Sequence, residues 1–236
     1  MILITRPAQK LTKSVACFRR AGIATTGCAP VTIGPCDQAV TACQHTLINT
    51  PPDYVIVTSA FAVAALPPAS QIRSNILWFA VGNATAEALR EAGFNAGVPE
   101  QQNSEGLLAL SQLRDAKSRQ IVIIKGQGGR TTLSNTLLAQ GNHVEVFDVY
   151  HREKLDNPVL TDNWQWQQIT GIVATSAEMA EQLFRFYDGK TLQAQRWLTV
   201  SERIAAHLKS LGVSNVGVCN DASDNALIAW IKDNWE

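Results

Sequence analysis

The residues of this chain best suited to chemistry stand where its apolar runs break. Lys125-Gly126-Gln127-Gly128-Gly129-Arg130-Thr131 follows one such run and opens a helical pattern. A glycine-rich turn of this kind can aim backbone N–H groups at an anion, and it equally serves as a tight strand-to-helix turn. It is not a dinucleotide fingerprint, because Thr131 stands where the third glycine belongs, and no Gly-Lys-Ser/Thr follows at phosphate-loop spacing. Thr58-Ser59 and Thr175-Ser176 each lie just past an apolar run, at the start of a helical segment. Their hydroxyls suit helix N-caps. The carboxyl ends of parallel strands are also where open α/β sheets bind ligands. Neither serine lies in a Gly-x-Ser-x-Gly elbow, which argues against a hydrolase nucleophile. Tyr150-His151-Arg152 ends a strand-type run, a place for a packing residue or for a proton donor. Glu105 and Glu178 fall in helix first turns, where the macrodipole favours a carboxylate. Trp164 and Trp166 read as packing for a short helix.

Composition narrows the chemistry further. Twenty basic and twenty acidic side chains leave no net charge over 236 residues, so nothing global attracts a nucleic acid or a membrane surface. An anionic ligand must be held by local donors. Cys17, Cys28, Cys36, Cys43 and Cys219 show no Cys-x-x-Cys spacing and no metal-type grouping with His45, His143, His151 or His207. They read as reduced, structural thiols. The apolar run Ile2–Thr5 has the length of a strand, and no run approaches a membrane span, so a cytoplasmic protein is expected.

The elements that must position these residues alternate in type. Strands are expected at Ile2–Thr5, Tyr54–Val57, Leu77–Val81, Gln120–Ile124, Val144–Val149, Gly171–Ala174, Trp197–Val200 and Val213–Val218. Helical spacing joins Leu11, Val15 and Phe18. It recurs in Thr85–Ala92, Glu105–Leu113, Leu133–Ala139, Glu178–Phe186, Ile204–Leu211 and Asn225–Trp230. Apolar strands separated by amphipathic helices predict parallel sheets covered on both faces. Gly22, Gly93, Gly141, Gly189 and Gly212 are placed to close helices in the left-handed conformation. Gly34-Pro35 and the polar stretch Arg152–Pro158 read as joining segments.

The chain also repeats itself. AVGNATAEALREAG (Ala80–Gly93) returns as TVSERIAAHLKSLG (Thr199–Gly212), with Val81, Ala86, Leu89 and Gly93 matched by Val200, Ala205, Leu208 and Gly212 at an offset of 119 residues. The same offset pairs Ile4 with Ile123, Gly22 with Gly141, and Ser104-Glu105 with Ser223-Asp224. VIVTSA (Val55–Ala60) returns as IVATSA (Ile172–Ala177), 117 residues on. Two copies of one α/β unit are implied, with a ligand cleft expected between two similar lobes.

Several of these segments, taken in order, resemble the uroporphyrinogen-III synthase family. They are Thr5-Arg6-Pro7, Val57–Val63, VGNATAEALREAG, Ser104–Leu108, GGRTTLSNTLLAQG (Gly128–Gly141), Tyr150-x-Arg152 and Val200–Ala205. The resemblance covers nearly the whole chain. Ala60-Phe61 departs from the Asn or Pro common there, and Arg203 stands opposite Ala84 of the first copy. The resemblance implies two similar parallel-sheet (flavodoxin/Rossmann-like) α/β domains with exchanged first segments, joined by two strands around a cleft. One domain would hold 1–35 and 154–236, the other 38–149. The repeat alone equally allows two consecutive domains divided near residue 118.

The resemblance further implies cyclisation of hydroxymethylbilane, a linear tetrapyrrole with eight carboxylates, with loss of water and inversion of the last pyrrole ring. No metal or redox cofactor is implied. The enzyme's task would be to hold a flexible substrate so that one attack geometry dominates. The residues implied for binding are Arg6, Thr58, Ser59, Thr85, Lys125, Gly129, Arg130, Thr175, Ser176 and Ala177, with Tyr150 helping the hydroxyl leave. The implied protein is a monomer in the haem pathway, in transient contact with the enzyme that makes the bilane. Two readings from other classes stand beside it: a non-catalytic two-lobed binding or regulatory protein for a small acidic ligand, and a nucleotide-dependent enzyme.

Overall fold

A computed structural model describes residues 1–73, 75–129, 131–219 and 221–235. Its first half contains β1 (Ile2–Thr5), α1 (Ala8–Arg20), β2 (Thr25–Pro35), α2 (Asp37–Asn49), β3 (Tyr54–Val57), β4 (Leu77–Ala80), α3 (Asn83–Glu91), β5 (Ala96–Gly97), α4 (Ser104–Ala109) and α5 (Ser111–Arg114). The second half contains β6 (Gln120–Gly126), α6 (Thr132–Ala139), β7 (His143–Leu160), β8 (Gly171–Ala174), α7 (Ala177–Phe186), α8 (Gly189–Gln193), β9 (Trp197–Thr199), α9 (Glu202–Ser210), β10 (Val216–Val218) and α10 (Asp224–Trp235). Short 3-10 turns lie at Ala60–Ala65, Ala69–Gln71 and Trp166–Gln168.

The helices form for local reasons. In α1 the buried residues Leu11, Ser14, Val15 and Phe18 share one face, Pro7 fixes the entry, and Arg19 and Arg20 sit where the helix dipole favours cations. Gly22 then leaves the helix at φ +88°, a conformation that costs glycine little. Gly93, Gly141 and Gly212 end their helices in the same way. Gly189 does not. It is the first residue of α8, because the Asp188 carboxylate accepts a hydrogen bond from the Thr191 N–H and starts a new helix there.

The chain divides into two compact units, Met1–Ile33 with Glu153–Glu236, and Gly34–Arg152. In the first, parallel strands lie in the order β2-β1-β8-β9-β10; in the second the order is β7-β6-β3-β4-β5. The repeat explains this identity of order. Ile4 on β1 lies opposite Val173 on β8, and its counterpart Ile123 on β6 lies opposite Ile56 on β3. Each copy's first strand thus pairs with the third strand of the other copy, which is the exchanged wiring.

Gly34-Pro35 and Arg152–Pro158 lie where the chain passes from one unit to the other, but as parts of the strands β2 and β7, so Tyr150 lies within a strand instead of ending one. The expected helix Glu105–Leu113 is interrupted at Leu110, which is extended (φ −60°, ψ 132°). Trp164 and Trp166 pack on each other, on Tyr187 and on the core that includes Leu183 of α7 and Leu192 of the short helix α8, and Trp166 opens a 3-10 turn.

Alternation along the strands builds the cores. Leu3, Ile172, Ala174 and Trp197 face one side of the first sheet with Met179 and Leu183 of α7; Ile2, Ile4, Val173 and Leu198 face the other with Phe18 and Leu227. In the second unit Ile56, Phe79, Ile121 and Ile123 pack against Leu133 and Leu137 of α6. All five cysteines are free. Burial pushes the Cys28 thiol, and likewise that of Cys43, up to about 12. No described helix is long and apolar enough to cross a membrane.

Candidate functional site

In the unit Gly34–Arg152 the winding direction reverses between β6 and β3. Such a reversal leaves a crevice at the carboxyl ends of the strands, the usual ligand position in open parallel sheets. A pocket of about 390 Å³ opens there, lined by Thr58 and Ser59 after β3, by Lys125–Gly129 at the end of β6, and by Asp148, Tyr150 and Arg152 on β7.

A bulge aims the tyrosine. Lys125 pairs with Asp148, but Gly126 pairs with Tyr150, so β7 carries one extra residue between the two rungs. The Tyr150 hydroxyl donates to Ser59 Oγ at 3.0 Å, and its ring meets Phe61 edge-on at 5.9 Å. Ser59 Oγ also accepts from the Phe61 N–H at 3.2 Å, which caps the turn Ala60–Ala65. Glycine at 126 is required by space: a Cβ there would overlap Tyr150 Cζ and stand 2.5 Å from Cε2 and 2.7 Å from Oη.

Lys125 is committed within the protein. Its ammonium donates to Gly128 O at 2.6 Å, Asp148 Oδ1 at 2.8 Å and Gly126 O at 3.1 Å. An ammonium has three protons, so Lys125 folds the loop instead of offering a free charge. The loop it folds places Gly128 and Gly129 consecutively at φ +80° and +83°, with nothing within 4 Å of where a Cβ would stand. Beyond them α6 begins without a side-chain cap at Thr131. Successive left-handed glycines and an uncapped helix start both leave N–H groups for an acidic ligand.

Thr58, Ser59, Lys125, Gly129 and Tyr150 therefore line one pocket. Arg130 lies outside the described residues. Thr85 is buried in the first turn of α3 and is not among the residues that line the pocket.

Arg6, Thr175, Ser176 and Ala177 belong to the other unit, at the carboxyl ends of β1 and β8. Arg6 occupies the position equivalent to Lys125 in the repeat and is only 7% exposed. Its guanidinium donates to Asp224 Oδ1 at 2.6 Å and to Ala222 O at 3.0 Å. Ser14 Oγ lies 3.0 and 2.9 Å from the two Asp224 oxygens. The basic residue after the first strand is thus neutralised in both units, by Asp224 here and by Asp148 there. Ser176 Oγ accepts from the Met179 N–H at 3.2 Å and caps α7, in which Ala177 is the first residue.

Sequence reasoning missed Asp148, Asp224 and Gly126. Asp148 had a signal, two residues before Tyr150 on the same run. Asp224 had one only as the repeat of Glu105.

Fold and site define an open α/β protein of two equivalent doubly wound units, with a hydroxyl-lined pocket and a glycine-rich turn at a switch point. The family model described as Uroporphyrinogen-III synthase HemD matches residues 13–229, and the chain belongs to the uroporphyrinogen-III synthase family. The uroporphyrinogen-III synthases of Salmonella typhimurium and of Escherichia coli K12 are each 33% identical to it over 159 residues, 64% of this chain. The chain spans 65% of the length of these curated relatives. Among solved structures, the synthase of Helicobacter pylori aligns over 98% of both chains with a TM-score of 0.59 at 13% identity. A mutant synthase of Thermus thermophilus aligns over 98% of both chains with a TM-score of 0.56 at 15% identity. At those identities the likeness is one of fold.

Proposed function

We propose that this chain is a lyase that closes hydroxymethylbilane to uroporphyrinogen III in haem biosynthesis. The observation that carries the reading is the Tyr150–Ser59 hydroxyl pair beside the Gly128-Gly129 turn, at a switch point of a chain that belongs to this family. The substrate's carboxylates require donors, which the turn, the start of α6 and the hydroxyl of Thr58 supply. At the reacting end, the C–O bond of the hydroxymethyl group breaks as the pyrrole nitrogen pushes electrons toward it, and a proton from the hydroxyl pair lets the oxygen leave as water. The resulting azafulvene is attacked by the substituted carbon of the last ring, giving a spiro intermediate that fragments and recloses with that ring inverted.

Left free, the same electrophile closes without inversion, so holding the chain in one geometry is the larger part of the task. The enzyme that makes the bilane is the corresponding transient partner. The test is incubation with hydroxymethylbilane followed by separation of the product isomers. Inverted product well above the level formed in buffer is expected. Binding of the bilane with only the uninverted isomer formed would make the chain a binding protein and overturn the reading.

A further inference from the structure

We infer that Tyr150 does not meet the ligand itself but acts through Ser59, whose hydroxyl is the terminal donor of the pocket; this rests on the function proposed above. A serine hydroxyl has two lone pairs and one proton. Both acceptor positions of Ser59 Oγ are filled, one by the Phe61 N–H at 3.2 Å and one by the Tyr150 hydroxyl at 3.0 Å. Its own proton must therefore point away from both donors.

Access supports the same order. Tyr150 is 7% exposed, with its phenol tip against the Gly126 backbone and its ring against Phe61, whereas Ser59 is only partly buried. Both residues line the pocket, and the serine is the more exposed of the two. Two donors into one hydroxyl also polarise its O–H bond, which makes Ser59 a stronger donor than an isolated serine.

The step balances as a relay. Ser59 gives its proton to the departing hydroxyl and takes the Tyr150 proton at the same time, so water leaves and a phenolate remains. The proton released when the macrocycle closes restores the phenol. In this scheme Ser59 is the catalytic residue, while Tyr150 is a positioning and proton-supplying residue behind it.

The experiment is a double-variant cycle with Ser59→Ala, Tyr150→Phe, the pair together, and Ser59→Thr. Each single variant is expected to lower kcat by roughly 10- to 100-fold with KM nearly unchanged. The double variant should be no slower than the worse single, and Ser59→Thr, which keeps the hydroxyl, should recover most of the rate. Multiplying effects would overturn the relay. So would a wild-type rate in either single variant.

Melting temperatures of the same set read the couple without substrate. There the double variant should fall about as far as the larger single loss. Wild-type protein that forms no inverted isomer yet shows this non-additive melting would overturn the functional reading alone. Additive melting with full activity would overturn only the relay.

Discussion

Replacing Gly126 by Ala gives the sharpest quantitative test of how the pocket is built. The backbone there has no positive φ, so the substitution acts through space and not through strain. A Cβ 2.5 Å from Tyr150 Cε2 and 2.7 Å from Oη falls about 1 Å short of carbon contact distance. Phe61 packs edge-on against the phenol, and a ring that swings clear gives up its hydrogen bond to Ser59. Overpacking costs about 1–3 kcal/mol, and the lost hydrogen bond adds about 1 kcal/mol. The total, about 2–4 kcal/mol, corresponds to a fall in Tm of roughly 4–15 °C for a chain of this size. Turnover should fall with it, to the level of Tyr150→Phe. In a Tyr150→Ala background, where the obstructing ring is gone, Gly126→Ala should cost little. The assay is thermal and urea unfolding together with isomer analysis. A Gly126→Ala protein with wild-type Tm and turnover would refute the steric argument.

Asp224→Ala should cost about 3–5 kcal/mol in urea unfolding, because it leaves the buried Arg6 guanidinium without its carboxylate; a loss below about 1 kcal/mol would show that water reaches Arg6 instead. Ser176→Ala should lower stability by about 1 kcal/mol through loss of the α7 cap, and equal melting of Ser176→Ala and wild type would contradict that cap. Burial works against the charge of Asp162, but hydrogen bonds from Thr161, Arg19 and Thr26 outweigh it and hold the carboxyl below its ordinary range. A depressed carboxylate stabilises fully above its unfolded value near 3.9 and ceases to do so as pH falls through its folded value. Wild type should therefore lose its stability advantage over Asp162→Asn below about pH 4, and an advantage unchanged at pH 3 would count against the assignment. Cys28 and Cys43, raised to about 12 by burial, work in the opposite sense. Their contribution is complete below the usual thiol range near 8.5 and is lost as pH rises toward 12, so a Cys28→Ala, Cys43→Ala protein should lose less stability than wild type between pH 9 and 11.

How far the fold was legible depended on whether each segment carried its own signal. β1, β3 and β8 are short, continuous apolar runs, and their bounds match the sequence reading residue for residue. The repeat offsets even anticipated the register, since they carry Ile4 and Val173 onto Ile123 and Ile56. β2 escaped notice because it contains Gly27 and Pro30. Gly27 is there because Leu11 and Val15 of α1 come within 2.8 Å of where its Cβ would stand, a demand made by another element. α2 was missed because Asp37–Asn49 buries only Cys43 and Leu47 and shows no strong apolar face. The polar far end of β7 looks like a linker because few of its side chains are covered.

At the site, the residue types were legible but their partners were not. Ser59 and Tyr150 are 91 residues apart and Arg6 and Asp224 are 218 apart. Nothing local in the chain announces either pair. The sequence could nominate Lys125 and Arg6 as anion anchors, and only three dimensions showed that each is already answered by an aspartate.

The exchanged wiring has a consequence for the chain as it is made. Gly34–Arg152 is continuous, so this unit has every strand it needs before synthesis of the chain is complete. Met1–Ile33 is made before it, and β1 can pair with β2 within that segment, but the other edge of β1 waits for Gly171–Ala174. Until then Ile2, Leu3 and Ile4, all buried in the finished protein, travel in a two-stranded piece of sheet with one edge open. Contacts between such distant segments form slowly, and an open strand edge invites association with other chains meanwhile. Met1–Ile33 is thus the segment most dependent on chaperones, and a nascent chain stopped after residue 152 would hold one finished sheet and the two strands β1 and β2 with the far edge of β1 unpaired.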